Sequence, residues 1–303
     1  MGILFALLTA LCWGLYNLFV RRGRDGIDPG AGYLLTLLLN AGANAAFTLL
    51  PLPGSGAPGF GPVPVVLFVL AGLTTTLLGR WLYFESVFTL GPSRASAWKN
   101  ASPVYTLFIA WLLLAERPTP FTVLGVLATL AGMYLLAREQ AESERRGTLV
   151  GAAGAAAGHR GNVVGLLLGV GSGVAFASGI MLRKAGLNVW PDAAMGAAIG
   201  AAAALVGWLP VSVRRGEVGA LLRASGPGLR YFFLAGVFSS LAQLFVFLSL
   251  RLTPSTVTHV VTSLEPVFTM MLSPLVLGGR ERLNLALVRA VALITVGAAL
   301  VSL

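Results

Sequence analysis

Four ionisable side chains stand inside long apolar runs: Glu85, Lys99, His259 and Glu265. At the centre of a bilayer each costs roughly 3 kcal/mol on insertion scales, so it must face a partner or a polar cavity. A lysine can hold a carboxylate and a glutamate an ammonium. A carboxyl or an imidazole can also carry a proton, the imidazole with a reference pKa of about 6.5. Lys99 lies four residues before Pro103, and Glu265 stands directly before Pro266. A proline inside a helix clashes with the carbonyl four residues back and leaves it without a donor. Those carbonyls belong to Lys99 and Thr262. Freed carbonyls at membrane depth are tolerated only beside protein or a water-filled cavity. Lys99 and Glu265 are therefore expected to line a central cavity from the two halves of the chain, with Glu85 as a second carboxylate. The alternative is a buried ion-pair network of Arg80, Glu85, Lys99 and Glu265 that only fastens helices. His259 is either a proton carrier or a neutral ring hydrogen-bonded between helices.

Around these stand neutral polar and aromatic residues. Trp13, Tyr16 and Asn17 lie in the first apolar segment, and Asn40 and Asn44 lie one turn apart on one face of the second. Tyr83, Asn100 and Gln243 complete the candidate cavity set. Arg80 and Arg94 can instead sit at a membrane surface, and Glu116 and Glu281, each followed by arginine, fall where helices end. Other chemistry is excluded by what is missing. One cysteine allows no internal disulfide, two histidines in the chain argue against a metal centre, and the apolar segments hold no aspartate. No enzyme and no cofactor are expected.

The elements that must position these residues are membrane helices. Hydrophobic residues make up 56% of the chain and charged residues 11%, with a mean hydropathy of +0.84. Soluble domains carry about 25% charged residues, and a crossing helix needs about 20 apolar ones. No alternating ten-residue segments of a membrane barrel are visible. Ten segments emerge: 2–20, 32–50, 65–90, 92–115, 119–137, 163–182, 193–213, 229–250, 255–277 and 284–303. The first lacks a basic leader and a small-residue cleavage site, so it is expected to be a retained span. Residues 138–162 form a polar connection between two halves, 1–137 and 163–303. Small residues at four-residue spacing (Gly165, Gly169, Gly173; Gly196, Gly200, Ala204) suit close helix approach.

The halves echo one another. Pro92-Ser93, Ser102-Pro103-Val104-Tyr105 and Glu116-Arg117 return as Pro254-Ser255, Glu265-Pro266-Val267-Phe268 and Glu281-Arg282. Five helices per half would set the two copies in opposite orientations, the inverted-repeat plan of many secondary transporters. The net charge of +10 fits cytoplasmic loops better than nucleic-acid binding. With the termini outside, thirteen loop arginines fall on the cytoplasmic side and four loop cations on the other.

Leu11-Cys12-Trp13-Gly14, Leu90-Gly91-Pro92-Ser93-Arg94-Ala95 and the run from Ser102-Pro103-Val104 to Leu114-Ala115-Glu116-Arg117 are the marks of a known family. With their second-half echo, they make the whole chain similar to the ten-helix EamA-type carriers of the drug/metabolite transporter superfamily. The resemblance implies an all-α integral membrane protein of ten transmembrane helices in two inverted five-helix EamA repeats. It implies a cavity open to one side at a time, export of amino acids or other small metabolites, often proton-driven, and no cofactor. It also implies cytosolic termini, against the loop charge. Lys99 and Glu265 are not family marks, and Thr253-Pro254 replaces the Gly-Pro of the first copy.

The expected function is secondary active transport of a small zwitterion, such as an amino acid, across the inner (plasma) membrane. Alternating access would move it, and Glu265 or Glu85 would carry the coupling proton. Partners would be the small solute, protons and membrane lipids, in a monomer or homodimer. The alternatives are a transporter-like scaffold without a transport cycle, or a carrier of sugars or nucleotide sugars. The latter would want two or more converging cations.

Overall fold

A computed structural model describes residues 1–24, 26–52, 54–90, 95, 98–99, 101–113, 117–145, 159–277 and 285–301. The regular structure among the described residues is helical. In order these are α1 (Gly2–Gly23), α2 (Pro29–Phe47), α3 (Pro62–Gly72), a π-helical segment (Leu73–Gly79), α4 (Arg80–Leu90), α5 (Ser102–Leu113) and α6 (Pro120–Arg145). Then come α7 (His159–Val189), α8 (Ala193–Arg214), α9 (Glu217–Arg223), α10 (Pro227–Leu252), α11 (Ser255–Thr262), α12 (Glu265–Leu277) and α13 (Leu285–Val301).

Six stretches among the described residues are long and apolar enough to cross a membrane: Gly2–Gly23, Pro62–Tyr83, Pro120–Glu139, Val163–Val189, Ala193–Arg214 and Pro227–Leu252. The chain is a multi-pass membrane protein.

Two compact units divide the helices, and neither coincides with a half of the sequence. The first comprises Met1–Leu73, Leu182–Thr253 and Leu264–Glu281; the second comprises Thr74–Met181, Pro254–Ser263 and Arg282–Leu303.

In the first unit α1 packs on α10 and α12, α2 on α8 and α10, and α3 on α8. Phe68 is fully buried against Phe247 and Trp190. Glycines make room for it. A Cβ on Gly186 would come within 2.4 Å of the Phe68 ring, and one on Gly196 within 2.7 Å of the Phe247 ring. Removing such a buried ring typically costs about 3–5 kcal/mol. Asp28 caps α2 by accepting from the Ala31 amide (2.9 Å), with Pro29 in the first turn. Asp192 caps α8 through Met195 N (3.0 Å).

In the second unit α6 and α13 meet backbone to backbone. A Cβ on Gly125 would lie 2.6 Å from Gly297 O, and one on Gly132 2.7 Å from Ala290 O. Small residues at a membrane interface exchange side-chain bulk for such close approach.

Helix boundaries differ from the sequence reading at four places. Segment three is interrupted by the π-helical turn Leu73–Gly79. Segment six does not stop at Arg183-Lys184: α7 continues to Val189 because both cations find partners inside the unit. The Arg183 guanidinium lies 5.3 Å from the Phe247 ring centre. Lys184 Nζ donates to Leu250 O (2.7 Å) and Thr253 O (3.0 Å), closing the C-terminus of α10. The polar connection is partly helical, since α6 runs to Arg145 with Arg138 paired to Glu142 at 3.1 Å.

The fourth difference concerns the prolines. They do not kink continuous helices. Pro103 and Pro266 occupy the second positions of α5 and α12, where a missing N–H costs nothing. Segment nine is split into α11 and α12, and after Pro266 the amides of Val267 and Phe268 both turn to Leu264 O.

Candidate functional site

Each of the two units has its own polar side-chain groups. In the first unit Asn17, in the C-terminal half of α1, donates from Nδ2 to Glu265 Oε1 at 2.5 Å. The approach depends on Gly14, one turn earlier: a Cβ there would lie 3.0 Å from Phe268 Cβ and from Thr269 N on α12. Glu265 therefore heads a half-helix with a neutral amide as its partner. Trp13 and Tyr16 form an edge-to-face pair on α1, with ring centres 5.2 Å apart.

A second polar group of this unit lies between α2 and α10. Asn44 is fully buried and donates to Asn40 O (2.8 Å) and Asn40 Oδ1 (3.0 Å); Asn40 in turn donates to Ser239 Oγ (2.9 Å). Asn44 Oδ1 is buried and has no hydrogen-bond donor among the described residues. Gln243 is buried one turn beyond Ser239 on α10. An amide ladder of this kind holds two membrane helices in register and gives a polar stripe to an apolar interface.

In the second unit the Lys99 ammonium stands 5.2 Å from the centre of the Phe176 ring and 5.4 Å from that of Tyr83. The ring faces stabilise the charge by about 0.5–2 kcal/mol without taking its N–H donors. Glu85 is half-buried on α4, next to Ser86, whose hydroxyl donates to Gly165 O at 2.8 Å. His259 on α11 is held at both ring nitrogens by α5. Nε2 lies 3.0 Å from Ser102 Oγ, and Nδ1 is hydrogen-bonded to Thr106 Oγ1. Thr262 Oγ1 and Ser263 Oγ both donate to His259 O at 2.9 Å, which tightens the end of α11.

Of the sequence candidates, Asn17 and Glu265 come together, as do Asn40 and Asn44, Trp13 and Tyr16, and Tyr83 and Lys99. Lys99 belongs to the second unit and Glu265 to the first. Asn100, Arg94, Glu116 and Glu281 lie outside the described residues. Sequence reading did not single out Phe176, Ser102 and Thr106 in the second unit, nor Ser239 and Lys184 in the first. The signal for Ser102 and Thr106 was present: two hydroxyls one turn apart in an apolar run, beside the marked proline. Among the described residues no group of three or more His, Cys, Asp or Glu could hold a metal ion.

Comparison with known proteins gives the same class. The EamA-like transporter family matches residues 1–138 and 163–303. The Pseudomonas aeruginosa protein PA1977, named an uncharacterized protein, is 31% identical over 136 residues, 45% of each chain. YhbE of Escherichia coli, named an uncharacterized inner membrane transporter, is 27% identical over 140 residues, 44% of this chain and 42% of that one. Human solute carrier family 35 member G1 is 25% identical over 195 residues, 62% of this chain and 49% of that one. The chain spans less than half the length of these curated relatives. One crystal structure is similar over 99% of this chain and 95% of its own, with a TM-score of 0.74 at 20% identity, a likeness of fold.

Proposed function

The chain belongs to the EamA-like transporter family, and from that premise we propose that it is a secondary active transporter of a small zwitterion such as an amino acid. It acts in the inner (plasma) membrane, as the likeness to YhbE suggests. It exports its solute by alternating access of two inverted five-helix repeats, with proton coupling. The observation that carries the substrate class is what surrounds Lys99 and Glu265. Lys99 is stabilised by aromatic rings and Glu265 by a neutral amide. On this reading Lys99 meets the carboxylate of the solute and Glu265 its ammonium. The remaining candidates, Trp13, Tyr16, Asn40, Asn44, Tyr83, Glu85, Asn100, Gln243 and Thr262, supply shape and hydrogen bonds.

The test is counterflow in proteoliposomes across a panel of amino acids, their amides and decarboxylated amines, and sugar phosphates. Amino acids are expected to exchange. Lys99→Gln should selectively weaken solutes with a carboxylate, and Glu265→Gln those with an ammonium. Exchange of sugar phosphates alone, or an equal loss for all solutes in both variants, would overturn the zwitterion reading.

A further inference from the structure

The proposed coupling needs a group that takes up a proton inside the membrane and releases it again without leaving a partner stranded. We propose that this group is His259, with Ser102 and Thr106 as its proton-adapting partners; the coupling part of this inference rests on the transport reading above. The two ring nitrogens of His259 are engaged by two hydroxyls, Ser102 Oγ and Thr106 Oγ1, and both hydroxyl groups are buried.

The choice of partner matters. A neutral imidazole has one N–H donor and one bare acceptor nitrogen, whereas the imidazolium has two donors; a hydroxyl can serve either way. A backbone carbonyl or a carboxylate would accept in every state and so lock one ring nitrogen as N–H. Here both tautomers and the cation find complementary partners. When a proton adds to the bare nitrogen, the hydroxyl that had donated to it becomes the acceptor. For Thr106 the hydrogen then turns to Ser102 O, four residues back on α5, the bond that Thr129 and Thr269 make in this chain at 2.9 Å; Ser102 opens α5, so Thr106 is the partner that switches. One proton enters, one N–H forms, and release reverses both.

The place in the fold gives the proton a mechanical consequence. α11 is an eight-residue half-helix whose chain neighbours α10 and α12 belong to the other unit. It packs on α5, α6 and α13. Among the described side chains, the ionisable groups on those elements are Tyr105 on α5, Tyr134, Arg138, Glu139 and Glu142 on α6, and Arg289 on α13; Lys99 precedes α5. Tyr105 packs against Gly173, Tyr134 and Arg289 are exposed, and Arg138 pairs with Glu142. The charge of His259 thus sits on the clamp that fixes a connecting segment, while Glu265 is left to read the ammonium of the solute.

The test uses the full chain in nanodiscs, labelled with 15N-histidine and carrying His159→Gln so that a single imidazole remains. The expected result is reversible titration of His259 within about two units of neutral pH, lost or displaced in Thr106→Val and restored in Thr106→Ser. An imidazole fixed in one tautomer across that range, or an unchanged titration in Thr106→Val with Ser102→Ala, would overturn the site. In proteoliposomes, one proton per solute under a one-unit pH gradient supports up to about tenfold accumulation of a net-neutral solute. His259→Gln should abolish that accumulation while keeping exchange. Undiminished accumulation in His259→Gln would overturn the coupling role. If His259 titrates as stated but the unmodified protein moves no solute on the panel, the proton site stands, and the coupling falls with the transport reading.

Discussion

Glu265 and Lys99 are separable tests of one idea, because each can lose its charge while keeping its neighbours. In Glu265→Gln the side-chain carbonyl still accepts from Asn17 Nδ2. Thermal unfolding is therefore expected to move by the equivalent of less than about 1 kcal/mol, whereas affinity for an ammonium solute should fall roughly 10–100-fold, the worth of a charge-assisted hydrogen bond. A matching loss of stability would mark the residue as a structural tie instead. Lys99→Met keeps an unbranched chain between Phe176 and Tyr83 but cannot hold a carboxylate; ligand-induced thermal shifts with amino acids should vanish and shifts with the corresponding amines should persist. Lys184 is the contrast. Its two bonds to Leu250 O and Thr253 O tie down a helix end. Lys184→Met is expected to cost about 1.5–3 kcal/mol of stability and to speed hydrogen exchange at the end of α10, with no change in solute preference.

Helix crossings in this protein are built on glycine, and the geometry says which glycines matter. Gly125 and Gly297 face one another's carbonyls, at 2.6 and 2.5 Å from a Cβ that either would acquire. Gly297→Ala should therefore cost about 1–3 kcal/mol through overpacking of α6 on α13. Gly42, in the middle of α2, has nothing within 4 Å of such an atom. Gly42→Ala should gain roughly 0.5–1 kcal/mol from helix propensity alone. Thermal unfolding in one detergent reads both, and a loss at Gly42 equal to that at Gly297 would contradict the packing described. The prolines show how an element can be misread from spacing. Pro103 lies four residues after Lys99 and Pro266 directly after Glu265, and an interior proline would have kinked a continuous helix. Instead each opens a new half-helix, since a helix can begin at proline at less cost than it can continue through one.

At the scale of the molecule, the loop arginines and the family habit point opposite ways. Arg21, Arg22 and Arg24 end α1, and Arg214, Arg215, Arg223 and Arg230 cluster around α9 and its flanks, all exposed. The charge rule expects that side to be cytoplasmic. A reporter active only outside the cytosol, fused at residue 1, is accordingly expected to be active; silence there, with activity from an insertion beside Gly216, would reverse the assignment. The sequence by itself determined the class: 56% apolar and 11% charged residues leave helices in a membrane as the workable solution, because each backbone polar group must be satisfied within its own segment. Local spacing likewise made Asn40 and Asn44 neighbours. What sequence could not supply is which helix of one half meets which of the other. His259 finds its hydroxyls 157 and 153 residues away, Glu265 finds Asn17 across 248, and the two compact units draw on both halves of the chain. Among membrane helices all faces are apolar, so periodicity does not single out the buried one. Only the tertiary structure decided the pairings, through the few places where a glycine lets two backbones close or a polar side chain has to find a partner.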